Sequence, residues 1–470
     1  MQGTFTQRTY HRLTASLSRL NGELLLLAAC TLLAAALRLY RLGEWSLWED
    51  EAFTLSSKED GFTFSFWRRP LSLTLIRLAV SALGASEWSA RLVPALIGVL
   101  SIPALYYLVR RMFSPRAALL FAGLLSVSTW HLYWSQNARF YSLLILFYTA
   151  ALFLFFIALE EDRPALFLLS FLCLGLAARE RLIALFLLPV VLGYILLVAL
   201  LPFEKPRGLK LANLALFFGP GILLGAFFAG PFLGNLPQWF EGFGRVNTTP
   251  FWILGGVLAY TGVPVVLGAA VGTVVLLGRR RRAALFFGLG AALPLLGVMF
   301  LSLFQYAANR YVFVSVTSWI LLAGLFLDQH FRHPEKSVRL LAGGLLAVML
   351  LSALSDNYLY YFHQNGNRAD WRAAFRYIDA RLEPGDWVVA TDTDLGDYYL
   401  GRSVIGMENF QPGMLEGRQQ RVWFIEDLTL AERYPGAEAW IKENARLMEV
   451  FDVAVQARRF TMRVYTYESR

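Results

Sequence analysis

Eleven apolar runs, each near the ~20 residues a helix needs to cross the hydrocarbon core of a bilayer, constrain this chain more than any other feature. They lie near 24–40, 92–109, 117–134, 141–159, 165–179, 181–201, 211–233, 251–277, 283–304, 311–327 and 338–354. In lipid an unpaired backbone amide or carbonyl finds no water, so such runs fold as helices. The composition agrees: 57% of residues are hydrophobic and only 16% charged, with a mean hydropathy of +0.49, whereas soluble domains carry about 25% charged residues. A soluble enzyme, a disordered chain, a collagen and a coiled coil are all excluded. The run 24–40 follows a mixed segment and has no cleavage pattern behind it, which predicts a retained helix and not a signal peptide.

The formal charge of +9 raises the question of nucleic acid, and its distribution answers it. Residues 365–470 hold 14 basic and 17 acidic side chains, residues 1–364 hold 29 and 17, so the basic excess belongs to the apolar part. There it alternates from loop to loop. Arg8, Arg12 and Arg19, then Arg110, Arg111 and Arg116, Arg163, Lys205, Arg207 and Lys210, Arg279 to Arg282, and Arg332, Lys336 and Arg339 fall on one side. The positive-inside rule assigns that side to the cytoplasm. The other side receives the stretch 41–91, the turns around Arg139, Arg179 to Arg181 and Arg310, the loop 234–250 and the C-terminal segment. Residues 1–355 therefore read as a multi-spanning membrane domain and 356–470 as an extracytoplasmic α/β domain. In the latter, Trp371, Phe375, Ile378 and Leu382 share a helical spacing. Pro384-Gly385-Asp386 then turns the chain into a strand at Trp387 to Ala390. A second strand is predicted at Val422 to Ile425, a helix over Ala437 to Val450 and a strand at Thr461 to Tyr467.

Chemistry concentrates at the outer boundary. After the first span come Trp48, Glu49, Asp50 and Glu51, three adjacent acids among apolar residues. Such acids repel each other, which raises a pKa or demands a cationic partner. The other reading is a solvated acidic turn, but a position directly at the membrane–water boundary argues for acids that are paired or put to use. The same loop continues through Trp67-Arg68-Arg69-Pro70 to the apolar Leu71 to Leu83, too short to span and predicted to lie along the interface. The outer turn Trp134-Ser135-Gln136-Asn137-Ala138-Arg139-Phe140-Tyr141 carries one charge, Arg139. Its guanidinium either binds a phosphate or pairs with lipid head groups. Asn309-Arg310-Tyr311 allows the same two readings, and Arg179-Glu180-Arg181 is read first as a self-neutralised turn and second as a further anion-binding contribution. Arg279 to Arg282 is read as topology charge.

Other signals point nowhere. His11, His131, His330, His333 and His363 are scattered and support no zinc site. Cys30 and Cys173 are isolated thiols. Asp392, Asp394 and Asp397 lack the later glutamate of a calcium loop. No glycine-rich phosphate loop stands between a strand and a helix, so ATP and NAD have no seat. No cofactor is required by the sequence.

The acids after the first span, the short apolar stretch, the Ser-Gln-x-Ala-Arg-x-Tyr turn, and Asp370-Trp371-Arg372 leading to Pro384-Gly385-Asp386 form a pattern. It resembles the polytopic GT-C glycosyltransferases, in particular bacterial family 39-like relatives of dolichyl-phosphate-mannose protein mannosyltransferases and of lipid A aminoarabinose transferases. The resemblance implies an all-α polytopic membrane domain of about eleven spans in a cytoplasmic membrane, with the active site and a small α/β domain facing outward. It implies a polyprenyl-phosphate sugar donor, a hexose or pentose transferred to a protein, lipid or glycan acceptor, and no nucleic-acid partner. Asp50 falls on the family's proposed catalytic base and Glu51 is its companion. Arg139 and Arg310 would hold the donor phosphate, with Glu49, Gln136, Asn137, Tyr141 and Tyr311 lining the substrate site. The family turn often has an acid where this chain has Asn137. The expected chemistry is a single displacement at the anomeric carbon with inversion, for which no metal is needed in principle, metal dependence itself being left open. The rival classes are a polytopic transporter or lipid flippase, whose repeated halves are not visible here, and a non-catalytic scaffold.

Overall fold

A computed structural model describes residues 3–55, 70–227, 230, 234, 248–415, 420–455 and 458–468. The expectations for Trp67-Arg68-Arg69, most of the loop 234–250 and the end of the run 211–233 lie outside the described residues. The helices run in order as α1 (Gly3–Leu39), α2 (Glu49–Leu55), α3 (Leu71–Leu83), α4 (Glu87–Met112), α5 (Pro115–Val127) and α6 (Thr129–Ser135). They continue as α7 (Tyr141–Glu161), α8 (Pro164–Glu180), α9 (Leu187–Leu200), α10 (Leu211–Phe227), α11 (Pro250–Thr261), α12 (Val263–Leu277), α13 (Arg281–Leu301), α14 (Val316–Phe331) and α15 (Lys336–Phe362).

Among the described residues seven segments are long and apolar enough to cross a membrane, and nine if two bent pairs each count as one. The two other predicted spans coincide with α8 and α10, of 17 residues each. Both bends have local causes. The predicted run 251–277 is not one helix: α11 and α12 meet at 102° at Gly262, whose φ of 92° lies in the left-handed region that glycine adopts without penalty. The run 117–134 turns by 59° between α5 and α6. There the Ser128 hydroxyl caps α6 by accepting from the His131 amide, and Asn357 of α15 donates to the freed Val127 carbonyl at 2.9 Å. A break inside a span persists only where neighbours satisfy the released backbone groups.

The centre is α7, whose window is 83% buried, whereas that of α15 is 11% buried. Around α7, Phe153, Phe155 and Phe156 pack edge-on, tilted or stacked against Phe286 and Phe287 of α13. The outer helices turn leucine to the surroundings, among them Leu25, Leu32, Leu341 and Leu351. Apolar patches of this extent are tolerated against lipid and not against water, so the chain is a multi-pass membrane protein.

Beyond α15 the chain forms a small α/β unit. Gly366, at φ 61°, carries it past Trp45 so closely that a Cβ would meet the indole at 2.6 Å. The helix α16 (Trp371–Asp379) is capped by Asp370, which accepts from the Ala373 amide. Strands β1 (Trp387–Ala390), β2 (Ile405–Gly406), β3 (Arg421–Glu426), β4 (Arg446–Val455) and β5 (Arg458–Glu468) make one sheet in the order β2-β1-β3-β5-β4. The pairs β2–β1 and β1–β3 are parallel, β3–β5 and β5–β4 antiparallel. Two helices, α17 (Thr393–Leu400) and α18 (Pro435–Asn444), complete it. The helix predicted over Ala437 to Val450 ends at Asn444. From Arg446 the chain is instead the edge strand β4, because pairing with β5 over ten residues outweighs a weak helical pattern. Asp386 of the Pro-Gly-Asp turn ties α16 to the sheet, accepting from Arg421 and from the Trp423 indole.

Candidate active site

The site grows from α2. Its first turn is Glu49, Asp50 and Glu51, which suits the positive end of a helix dipole. At 3.6 residues per turn, successive side chains diverge by roughly 100°, so the three adjacent acids enter three different environments.

Glu51 points inward and is fully buried. Its carboxylate receives Arg91 of α4 in a two-pronged pair, Nε–Oε1 2.8 Å and Nη2–Oε2 2.6 Å, and the Ala138 amide at 2.8 Å. Arg368, from the segment after α15, approaches to 3.5 Å. Burial alone raises this carboxyl, but Arg91, Arg368 and the amide outweigh it and hold it below the ordinary carboxylate value. Arg91 also donates to the carbonyls of Leu42, Trp45 and Ser46. Glu51 thus fixes the loop 42–51 onto α4 and the turn 136–139. It is enclosed by these partners, which gives it a positioning role in the fold.

The turn itself is equally structural. Gln136 is fully buried; its amide nitrogen donates to the carbonyls of Leu37, Arg38 and Tyr40 at the end of α1, and its oxygen accepts from Trp45 and Tyr360. Asn137 is buried too. The amide orientation that satisfies its neighbours has the oxygen accepting from the Trp48 indole at 3.0 Å and from Arg368 at 3.2 Å. Both side chains, expected to line the substrate site, are enclosed by these partners.

Asp50 faces outward, 34% exposed. Arg139 lies over it: Nη1 donates to the Asp50 carbonyl at 2.9 Å and to the Thr54 hydroxyl at 3.0 Å, and Nη2 stands 3.9 Å from the Asp50 carboxylate. Its Nε is buried without a partner. Arg139 and Arg181 both approach the Phe140 ring, at 5.1 and 5.4 Å. Arg310 sits over Trp48 and Tyr311, each at 5.8 Å. Burial, with Arg181 and Arg310 adding to it against Asp50, lowers the Arg139 pKa. Among the described residues three guanidiniums thus share one field with the Asp50 carboxylate, a net positive cluster in which an anion is favoured. Tyr141 is buried, its ring 3.7 Å from that of Trp134, and Tyr311 is half-buried beside Arg310. Arg179-Glu180-Arg181 had two readings, a self-neutralised turn and a further anion-binding contribution; Glu180 accepts from Ser72 and the Leu71 amide at the start of α3, and Arg181 lies beside Phe140 within the field of Arg139.

Glu49 faces the α/β unit. Arg433 stands 3.7 Å away, and Asp392 and Asp427 lie within its field. Its carboxyl is pushed up to about 7, by burial first, with Arg433 opposing and Asp427, Asp392 and Asp50 adding. Around it the two parts of the chain interlock. Leu47 and Ala52 join the core of Trp371, Phe375 and Leu395. Tyr399 accepts from the Leu47 amide at 2.7 Å and donates to Glu87 at the start of α4, where Arg372 also pairs. Of the charges that organise this seam, Arg372 belongs to the Asp370-Trp371-Arg372 pattern noted in the sequence, whereas Arg91, Arg368 and Glu87 were missed. The one available signal was a charged residue, Arg91, inside an apolar helix.

These features define a polytopic membrane protein of the GT-C glycosyltransferase fold. The crystal structure of ArnT from Cupriavidus metallidurans in the apo state matches 95% of this chain and 98% of its own, with a TM-score of 0.58 at 16% identity. The same protein bound to undecaprenyl phosphate matches with a TM-score of 0.56 over the same shares, again at 16% identity. The apo Archaeoglobus fulgidus oligosaccharyltransferase has a TM-score of 0.56 at 13% identity, over 89% of this chain and 71% of that one. The dolichyl-phosphate-mannose-protein mannosyltransferase family matches residues 68–219, about a third of the chain. No curated protein matches it in sequence.

Proposed function

We propose that this chain is a membrane glycosyltransferase that moves a sugar from a polyprenyl-phosphate-linked donor to an acceptor at the outer face of the cytoplasmic membrane. The observation that carries the reading is one outward-facing carboxylate, Asp50, set against Arg139, Arg181 and Arg310 where apolar helices meet the α/β unit. The fold shared with ArnT, a protein seen bound to undecaprenyl phosphate, supports the lipid-linked donor.

In this mechanism Asp50 takes the proton of an acceptor hydroxyl or amine as that atom bonds to the anomeric carbon. The bond from that carbon to the phosphate oxygen breaks in the same displacement, and the configuration inverts. Polyprenyl phosphate leaves with an added negative charge, which Arg139, Arg310 and Arg181 stabilise where it develops. Tyr311 and Trp48 wall the phosphate side, and Glu49 lies on the side of the α/β unit, where the acceptor enters. Glu51, Gln136 and Asn137 hold this geometry without touching substrate.

The test is mass spectrometry of envelope glycans and lipids from cells lacking the protein. One sugar modification should disappear, return with the wild-type chain and stay absent with Asp50→Asn. Full restoration by Asp50→Asn overturns the assignment of the base.

A further inference from the structure

The opposite end of the helical domain holds a second charged site. The helix α4 leads from Glu87, beside the seam described above, to Met112, and its 26 residues separate the two ends by roughly 39 Å at 1.5 Å per residue. At that far end a cavity of about 730 Å³ opens between α7, the loop after α9 and the start of α13. Small-molecule sites occupy about 300–1,000 Å³. Six arginines line it, Arg111, Arg279 to Arg282 and Arg332, against Glu160, Glu161 and Glu204.

Part of that charge is already matched. Arg111 pairs with Glu161 at 2.5 Å, Arg282 with Glu160 at 2.8 Å and Arg332 with Asp328 at 2.9 Å. Among the described residues Arg279 and Arg281 have no carboxylate in ion-pair range. Arg280 reaches Asp328 only at 3.8 Å and keeps a buried Nη1 without a hydrogen-bond partner. The helix α13 starts here with no side-chain cap, adding its positive dipole end. Apart from Ser114 and Gly278 the rest of the lining is apolar, with Phe113, Phe156, Ile157 and Phe203 among it.

The preference of basic loops for one side of a membrane accounts for arginines gathering here. It does not account for a cavity, an orphaned guanidinium nitrogen and an apolar wall in one place. We propose that this cavity binds the phosphate head group of an anionic phospholipid. The guanidiniums of Arg279, Arg280 and Arg281 take the phosphate oxygens, and the glycerol and first acyl carbons lie on Phe113, Phe156, Ile157 and Phe203. Basic pockets between membrane helices bind such head groups, and fixed guanidinium forks select phosphate geometry over plain charge. The site is independent of the chemistry at Asp50.

The experiment is native mass spectrometry of the full chain in detergent, titrated with cardiolipin, phosphatidylcholine or inorganic phosphate. Wild type should retain cardiolipin at least about tenfold better than phosphatidylcholine, and millimolar inorganic phosphate should not displace it. The Arg279→Gln/Arg281→Gln variant should lose that preference. Arg280→Lys should lose most of it with charge unchanged, by about tenfold, because a lysine cannot fork. Equal retention of the two lipids by wild type overturns the proposal, and needs no variant to fold. So does an undiminished preference in both variants, or displacement by free phosphate.

Discussion

Glu51 and Arg91 meet in a two-pronged pair with both side chains fully buried, while Asp50, one residue earlier, is a third exposed and lies under Arg139. Adjacent acids on one helical turn therefore carry opposite burdens, one architectural and one chemical. Breaking a buried pair by removing one partner leaves an uncompensated charge and costs about 3–5 kcal/mol. Glu51→Ala and Arg91→Ala should each lower the unfolding temperature in detergent strongly, and the double variant by less than the sum. Simple additivity would show that the two side chains do not act as a pair.

Among the described residues Asp50 makes no close hydrogen bond with its carboxylate, so neutralising it should leave stability unchanged. Asp50→Asn is expected to lower turnover by about 10²–10⁴-fold, the usual contribution of a general base. An unfolding temperature that falls along with activity would instead mark Asp50 as structural.

Arg310 separates binding from folding better than Arg139, which holds the Asp50 carbonyl and Thr54. Its one hydrogen bond among the described residues is a long one, to the Tyr306 hydroxyl at 3.4 Å. Charge-assisted hydrogen bonds contribute about 1.5–3 kcal/mol, so Arg310→Lys should reduce kcat/KM for a polyprenyl-phosphate sugar by roughly 10–100-fold at unchanged stability. An unaltered kcat/KM removes Arg310 from the phosphate site.

Asn137 stands where related turns often have an acid, and its neighbours explain why an amide suffices. Its oxygen serves Trp48 and Arg368, and Arg368 is already drawn to Glu51. Asn137→Ala strands both donors and should cost about 1–3 kcal/mol. Asn137→Asp keeps an acceptor next to a cation and should hold the fold. If both variants unfold alike in a thermal scan, the oxygen is not what the site needs.

The membrane helices were legible because length and hydropathy alone specify them. The breaks at Ser128 and Gly262 were not, since each depends on partners elsewhere in the chain, Asn357 in the first case. Asp50 and Arg139 were legible as charges at a boundary. What each acid in the triplet faces was not, because helical divergence sends Glu51, Asp50 and Glu49 to Arg91, Arg139 and Arg433, which lie 40, 89 and 384 positions away from them in sequence. Gln136 was legible as part of a motif, but its partners were not: it ties the end of α1 to Trp45 and Tyr360, residues far from it in sequence. The strand β4 was lost because an edge strand takes its identity from β5, its partner.

Glu49 makes the seam between α2 and the α/β unit sensitive to pH. Its folded value of about 7 lies above the ordinary value of 4.5, and burial raises Asp392 and Asp427 beside it as well. A carboxyl raised on folding holds its proton in the folded state where the unfolded state has released it. The stability it contributes is fully present below about 4.5 and is lost as the pH climbs through about 7. Docking of the α/β unit should therefore loosen between pH 5 and pH 8. Hydrogen exchange of Asp392 to Leu400, corrected for the intrinsic rate, should report more frequent opening at the higher pH. Glu49→Gln should flatten the trend, because a neutral amide neither titrates nor repels Asp392 and Asp427. Tighter docking at pH 8 than at pH 5 would mean that Arg433, and not burial, governs this acid.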